Sequence, residues 1–200
     1  MADPSYIVDG VLTDPEAWVA LNSKTLGSDA ASITFTSGYN DAAADVGGVQ
    51  AWDQYMDLFV IAYWRSARAA TMTVPEMRFN GDDTGTNYAY QLLQGDGSSV
   101  EATTAANQAR SGSFLFAAST TPATQFQVQI SHLFDINSGK YKSSLHQTAA
   151  DQDGSGYVDI TALTWKNQAA VTSVKLMGEF GDLLDESRID LFGILPRMVA

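Results

Sequence analysis

The chain has 200 residues, 45% of them hydrophobic, and carries a formal net charge of -12 from 11 Lys+Arg and 23 Asp+Glu. Nucleic acids and anionic membranes attract proteins through cationic side chains, so this charge balance argues against both as partners. The sequence contains no cysteine, which excludes disulfides, thiolate metal sites and cysteine nucleophiles.

The first thirty residues carry no strong pattern. The opening MADPSYIVDG lacks the basic and apolar regions of a secretory signal, and no stretch has the ~18–20 consecutive apolar residues that span a bilayer. Asp14 and Pro15 could open a helix over residues 13–21, while Trp18 could equally begin the first strand. We therefore expect residues 1–30 to form an N-terminal arm or first strand.

Alternation of apolar and polar residues dominates the rest of the chain and predicts strands with one buried face. In TQFQVQIS, Phe126, Val128 and Ile130 alternate with polar residues. The same period occurs in SITFTS at 32–37, VTSVKLMG at 171–178 and SRIDLFGIL at 187–195.

Three further stretches depart from this alternation. MDLFVIAYW at 56–64 is apolar on both sides, which predicts a central strand covered on both faces. FLFAA at 114–118 is a shorter candidate of the same kind. VEATTAANQARSG at 100–112 is small and polar, and it predicts an exposed loop.

Clusters of Gly, Asn, Asp and Ser separate these stretches and predict turns. About ten short strands divided by such turns indicate an all-β protein, either a two-sheet sandwich or a barrel with little helix. The clusters are TSGYND at 36–41, FNGDDTG at 79–85, QGDGSS at 94–99, INSGK at 136–140 and DQDGSG at 151–156.

DQDGSGYVDITAL at 151–163 resembles the calcium-binding loop of an EF-hand. However, that loop needs a bidentate glutamate at its twelfth position, which is Ala162 here, and it needs flanking helices. The flanking residues instead favour strands, so we predict a β-hairpin and no metal site. A weaker ion site using Asp151, Asp153 and Asp159 stays open as an alternative.

Two other acidic or histidine clusters could in principle bind a metal. Asp82 and Asp83 could hold a hard cation, but an Asx-rich turn is the favoured interpretation. His132 and His146 lie fourteen residues apart in separate predicted strands, and the sequence offers no further nitrogen or sulfur ligands for zinc. We expect each to be an ordinary strand histidine.

No catalytic motif stands out, and we expect a protein without enzymatic activity or cofactor. The chain lacks G-x-S-x-G, the P-loop and G-x-G-x-x-G, although a glycosidase carboxylate pair stays open. Five aromatic residues could line a sugar-binding face, but in a sandwich they are more often core or rim residues. These are Trp52, Trp64, Tyr88, Tyr90 and Trp165.

Three stretches occur in order: DLFVIAYWRSARA at 57–69, MRFNGDDTGTNYAYQLLQGDGSSV at 77–100, and the segment 164–195. Together they resemble a recurrent group of tailed-bacteriophage virion proteins. In that group R-F-N-G-D leads through a turn into an aromatic strand and a G-x-G-S-S turn. A Trp, A-[AIV]-T-S-[IV] and [FL]-[YF]-G-I follow, and the last three correspond here to Trp165, Ala170 to Val174, and Leu191 to Ile194. The chain departs from the pattern at Asp83, an extra turn residue, and at Asp190, where Ser or Thr is expected.

The resemblance implies a jelly-roll-like antiparallel β-sandwich over residues 31–196, with 197–200 as a C-terminal tail, and it implies no catalytic residues. We expect a capsid decoration (cement) protein on the outer surface of the virion, bound to the major capsid protein and homo-oligomeric, with a trimer favoured. The alternative is a receptor- or carbohydrate-binding module of a tail fibre or baseplate.

Overall fold

The computed structural model describes residues 7–8, 11–12, 18–38, 51–111, 116–152 and 154–195. Within them the chain forms fifteen strands and one short 3-10 helix, Trp52–Gln54. The strands are β1 Ile7–Val8, β2 Val11–Leu12, β3 Trp18–Thr25, β4 Ser32–Thr36, β5 Asp57–Trp64, β6 Met72–Thr73, β7 Pro75–Phe79, β8 Tyr88–Gly95, β9 Val100–Gln108, β10 Phe116–Ala117, β11 Gln127–Phe134, β12 Lys142–Asp151, β13 Gly156–Trp165, β14 Ser173–Gly178 and β15 Arg188–Ile194.

Two antiparallel sheets make up the sandwich. The large sheet has eight strands in the order β3-β15-β5-β11-β12-β13-β8-β9, and the small sheet has three in the order β4-β14-β7. Early strands pair with late ones, β3 with β15 and β4 with β14, so both sheets join distant parts of the described chain. The predicted all-β sandwich with little helix is therefore confirmed.

Alternation along the strands fills the space between the two sheets. From β5, Leu58, Val60, Ala62 and Trp64 point to this core and are fully buried. From the small sheet, alternate apolar residues of β7 and β14 pack into the same core, namely Met77, Phe79, Val174 and Leu176. Because side chains alternate along a strand, the period-two pattern decides which residues reach the core.

The stretch 56–64 is central but covered on only one face. Its strand β5 lies between β15 and β11, as the apolar run predicts. On the side away from the core, however, Phe59 and Ile61 are half-buried and Tyr63 is 50% exposed. The prediction of cover on both faces is thus wrong for this strand.

Two other predictions are corrected. The stretch 100–112 is not a loop, because most of it forms β9, the last strand of the large sheet. FLFAA does not form a central strand: its described part, β10, is a two-residue strand paired with β6.

The N-terminal boundary also moves. Residues 18–25 form strand β3, so the described part of the stretch 13–21 is a strand, while residues 13–17 lie outside the described residues. Leu21 and Leu26 enter the core, so a boundary at residue 30 would cut through the sandwich. The tail at 197–200 lies outside the described residues. Among those described, no helix has the length and apolarity needed to cross a membrane.

Candidate functional site

The EF-hand-like stretch forms a β-hairpin, as predicted. Strands β12 and β13 pair in full register up to Asp151 opposite Gly156, and a turn closed by the Gln152 amide donating to the Ser155 carbonyl joins them. Gly156 has a φ of 113°, and a Cβ there would lie 1.9 Å from the Ala150 carbonyl oxygen. The glycine is therefore required by the turn, independently of any ion.

The register separates two of the three candidate ligands. Asp151 pairs with Gly156 and shares its face of the large sheet, whereas Asp159 lies on the opposite, core-facing side, opposite Thr148, and is 3% exposed. Asp153 lies outside the described residues. In the part of the chain that the structure describes, no three His, Asp or Glu side chains come close enough to hold a metal ion.

The second acidic loop is a structural clamp built around Asp82. Its Oδ2 accepts hydrogen bonds from Trp165 Nε1 at 2.7 Å and from Asn87 Nδ2 at 2.8 Å, and its Oδ1 accepts from the Thr84 amide at 2.9 Å. Burial alone would raise the pKa of this carboxyl, but the hydrogen bonds from Asn87, Trp165 and Thr84 outweigh burial and lower the pKa to about 2. The Asx-turn interpretation is confirmed, since the Asp82 carboxylate accepts from the Thr84 amide two residues further along the chain.

Tyr88 extends this clamp into the core. Its hydroxyl donates to the Asp82 carbonyl and accepts from the Phe79 amide, each at 3.1 Å. Burial raises the pKa of the Tyr88 hydroxyl, so it stays protonated and can donate. The two ends of the β7–β8 turn are thereby tied together.

Asn80 forms a second clamp at the same turn. It adopts a φ of 54°, in the left-handed region that asparagine tolerates. Its Oδ1 accepts from the Thr172 amide at 2.7 Å and the Ser173 amide at 3.1 Å, and its Nδ2 donates to the Ala170 carbonyl at 2.8 Å. Two stretches that carry the virion-protein resemblance, 77–100 and 164–195, are therefore joined by Asn80 and Asp82.

The two histidines lie on adjacent strands but on opposite faces. His146 is fully buried, with Nδ1 2.7 Å from Ser131 Oγ and Nε2 2.8 Å from Ser144 Oγ, and burial lowers its pKa to about 3. His132 faces the other side and lies 2.9 Å from Asp57 Oδ2. The structure does not bring the histidines together, and the serines beside His146 are buried with it.

One pair of carboxylates does come together, at the edge of the small sheet. Arg110 contacts both Glu76 and Glu179, and Arg78 Nη2 lies 3.0 Å from Glu76 Oε2. Burial raises the pKa of the Glu179 carboxyl, and Arg110 partly opposes that rise. Both carboxylates are engaged by guanidinium groups, which is the arrangement of a structural ion-pair network.

The aromatic residues divide between core and surface. Trp52, Trp64, Tyr88 and Trp165 are buried and Tyr90 packs against them, which confirms the core interpretation for this set. Sequence patterns missed a surface group that surrounds Phe59: Trp18, 47% exposed, packs edge-on against Phe59 at 4.5 Å, and Phe192 lies 6.4 Å from Trp18. The pairing of three separate strands creates this group, so no local signal in the sequence could have revealed it.

The face of the large sheet that points away from the small sheet, here called the outer face, is rich in apolar side chains. Six apolar residues of β8, β9, β11 and β13 are exposed or half-exposed in the described part of the chain, and together they line a shallow apolar depression on this face. The six are Leu93, Val100, Val128, Ile130, Val158 and Ile160. An apolar surface of this kind is typical of a protein-binding face.

Comparisons with known proteins add no functional assignment. No protein-family model matches the chain, and no curated protein matches it. Among solved structures, a bacterial lipoprotein from Bacteroides thetaiotaomicron VPI-5482 is similar at 12% identity over 96% of this chain and 99% of that chain, with a TM-score of 0.21. A score of this size carries no argument about fold or function.

Proposed function

We propose that this chain is a non-enzymatic decoration (cement) protein of a tailed-bacteriophage capsid, bound to the major capsid protein on the outside of the shell. The observation that supports this best is the apolar outer face of the large sheet, with Val158 66% and Leu93 49% exposed. Burying such a face against another protein is favourable at roughly 25 cal/mol per Å² of apolar area. The resemblance of residues 57–69, 77–100 and 164–195 to virion proteins supplies the class of partner.

The stretches that carry the resemblance support a structural role. Asp82 accepts a hydrogen bond from Trp165, and Asn80 accepts one from the Thr172 amide, so these residues tie distant parts of the chain together. A disulfide link to the partner is excluded, since the sequence contains no cysteine. A small cyclic oligomer, with a trimer favoured, suits a brace placed on a local symmetry axis of a shell.

Cosedimentation with purified heads tests the proposal. The protein should bind assembled, expanded heads and ignore free capsid subunits, because a brace engages several neighbouring subunits only once they are in place. Heads lacking it should assemble but break at lower temperature. A truncation should remove residues 1–17 only, because β3 begins at Trp18 and belongs to the large sheet.

One observation favours the second candidate, a receptor- or carbohydrate-binding module of the tail. The aromatic group around Phe59 lies on the outer face and includes the exposed Trp18. Its rings are tilted, however, at 65° between Trp18 and Phe59 and 67° between Phe59 and His132, so they do not form the flat platform on which a sugar stacks. Binding to host cells or their surface glycans, without binding to heads, would replace the capsid proposal with this one.

A further inference from the structure

Strand β9 lies at the edge of the large sheet among the strands that the structure describes. It pairs with β8 along one side, and no described strand pairs with its other side. The Asp96 amide donates to the Ser99 carbonyl at the hairpin tip, which sets the phase of the ladder. It follows that Glu101 and Thr103 direct their main-chain groups toward β8, whereas Val100, Ala102 and Thr104 direct theirs away from the sheet.

This edge lacks the usual protection against a further strand. Exposed edges normally carry lysine, proline or an early bulge. Between residues 100 and 108, β9 has no proline and no cation, and its one charged residue is Glu101. The irregular pairing comes late, between Tyr88 and Tyr90 of β8, with Asn107 at a φ of 57°. Residues 100–105 therefore offer a regular edge.

The surroundings of the edge are apolar and acidic. On the outer face Val100 is 77% exposed beside Leu93 and Val158. Residues 79–109 and 143–165 contain no lysine or arginine. Three acidic residues stand at this end of the sheet: Glu101 and Asp151 are exposed, and Asp96 is half-buried. Lys166 reaches β9 only at its far end, where Nζ lies 3.0 Å from Asn107 Oδ1.

We propose that β9 is a docking edge to which an extended segment of a partner protein adds as a ninth strand, with apolar residues on the outer face and lysine or arginine among the others. Main-chain hydrogen bonds to Val100, Ala102 and Thr104 hold the segment, and its cations face Asp96 and Glu101. This inference rests on the proposed function, in which the segment belongs to the capsid protein. A second copy of this chain fits poorly, because it would bring two acidic, cation-free edges together.

The test compares three variants at one position with the wild type in cosedimentation with purified heads. Ala102→Pro removes one outward amide while leaving the bonds from Glu101 and Thr103 to β8, and an edge strand tolerates proline. Ala102→Val keeps the amide and is the matched control. Ala102→Lys keeps the amide but places a charge on the apolar outer face. Circular dichroism and thermal melting confirm that each variant folds.

We expect Ala102→Pro and Ala102→Lys to weaken binding about tenfold or more, because main-chain bonds and charge complementarity supply affinity in strand addition. Ala102→Val should bind like the wild type. Hydrogen exchange measured residue by residue should show fast exchange at Val100, Ala102 and Thr104 in the free protein and protection on heads. If Ala102→Pro does not fold, the binding of Ala102→Lys and this exchange pattern decide whether β9 is the docking edge.

The outcomes separate the two proposals. If the wild type does not bind heads, the proposed function fails and this inference fails with it. If the wild type binds but Ala102→Pro and Ala102→Lys bind equally well, or the outward amides stay unprotected on heads, the function stands and the docking edge is wrong. A wild-type dimer in analytical ultracentrifugation that Ala102→Pro abolishes would assign the edge to a second copy and overturn the partner named here.

Discussion

Two turns of similar composition behave very differently in this molecule. In the turn at 80–85, NGDDTG, Asp82 receives a hydrogen bond from Trp165, 83 residues along the chain. In the turn at 95–99, GDGSS, the Asp96 carboxylate accepts hydrogen bonds only from Ser98 and Ser99, which lie two and three residues further along the chain. Composition predicted both turns, yet only the first holds distant parts of the sandwich together.

The difference teaches where the stability of an acidic turn comes from. Hydrogen bonds from the Ser98 and Ser99 amides lower the pKa of the Asp96 carboxyl. These bonds are exposed to water, so removing the Asp96 side chain leaves no buried donor without a partner among them. Loss of Asp82 leaves the buried Trp165 indole N–H without its acceptor. An unsatisfied buried donor costs far more than a lost surface hydrogen bond.

The largest expected effect is that of Asp82→Ala, which should lower the free energy of unfolding by about 2–3 kcal/mol, since a charged acceptor with a buried partner is removed. Urea denaturation measures the change. In a double-mutant cycle with Trp165→Phe the two losses should not add, because they share one hydrogen bond. Additive losses would show that the clamp does not couple the turn to β13.

Asn80→Ala should cost about 1–2 kcal/mol, because it removes the bonds to residues 170–173 and places alanine at a positive φ. Asn80→Gly relieves the backbone strain but not the lost bonds, so it should recover only part of the stability. Full recovery by glycine in the same urea measurement would mean that Asn80 serves its backbone conformation alone.

Acid should reduce the advantage of the wild type over Asp82→Ala. The folded pKa of Asp82, about 2, lies below its ordinary value of 3.8. Between those values the unfolded chain binds more protons than the native one, so stability from this group is present above pH ~4 and is lost toward pH ~2. Urea midpoints of both proteins across this range should converge, and a constant difference would contradict the assigned pKa.

Asp96→Ala should have a much smaller effect than Asp82→Ala, because its hydrogen bonds are local and exposed to water. Gly97 has a φ of 87°, which glycine adopts without strain, so we expect the variant to keep the same turn. Thermal melting of the two variants side by side gives the ranking. Equal losses would mean that the distinction between clamp and local turn is wrong.

Calcium should have the smallest effect, shifting the melting temperature by less than about 1 °C relative to chelator, because a ligand stabilises only a native state that binds it. We expect no calcium binding because Asp151 and Asp159 lie on opposite faces of the large sheet and cannot hold one ion together. A rise of several degrees that Asp151→Ala abolishes would show that the hairpin tip holds an ion.

Local patterns in the sequence determined the strands that alternate, the turns that join them and the β-hairpin at 142–165. These follow from side-chain period and from residues that tolerate positive φ, both of which act over a few positions.

Only the tertiary structure decided which faces are covered. An apolar run such as 56–64 signals burial but not how many layers lie over it, and a polar strand such as β9 has no buried face to distinguish it from a loop. Similarly, a register that pairs Asp151 with Gly156 parts two acidic side chains only eight residues apart. Long-range pairing also brings Trp165 to Asp82 and leaves β9 at an edge, because these contacts depend on strand order rather than on the residues nearby.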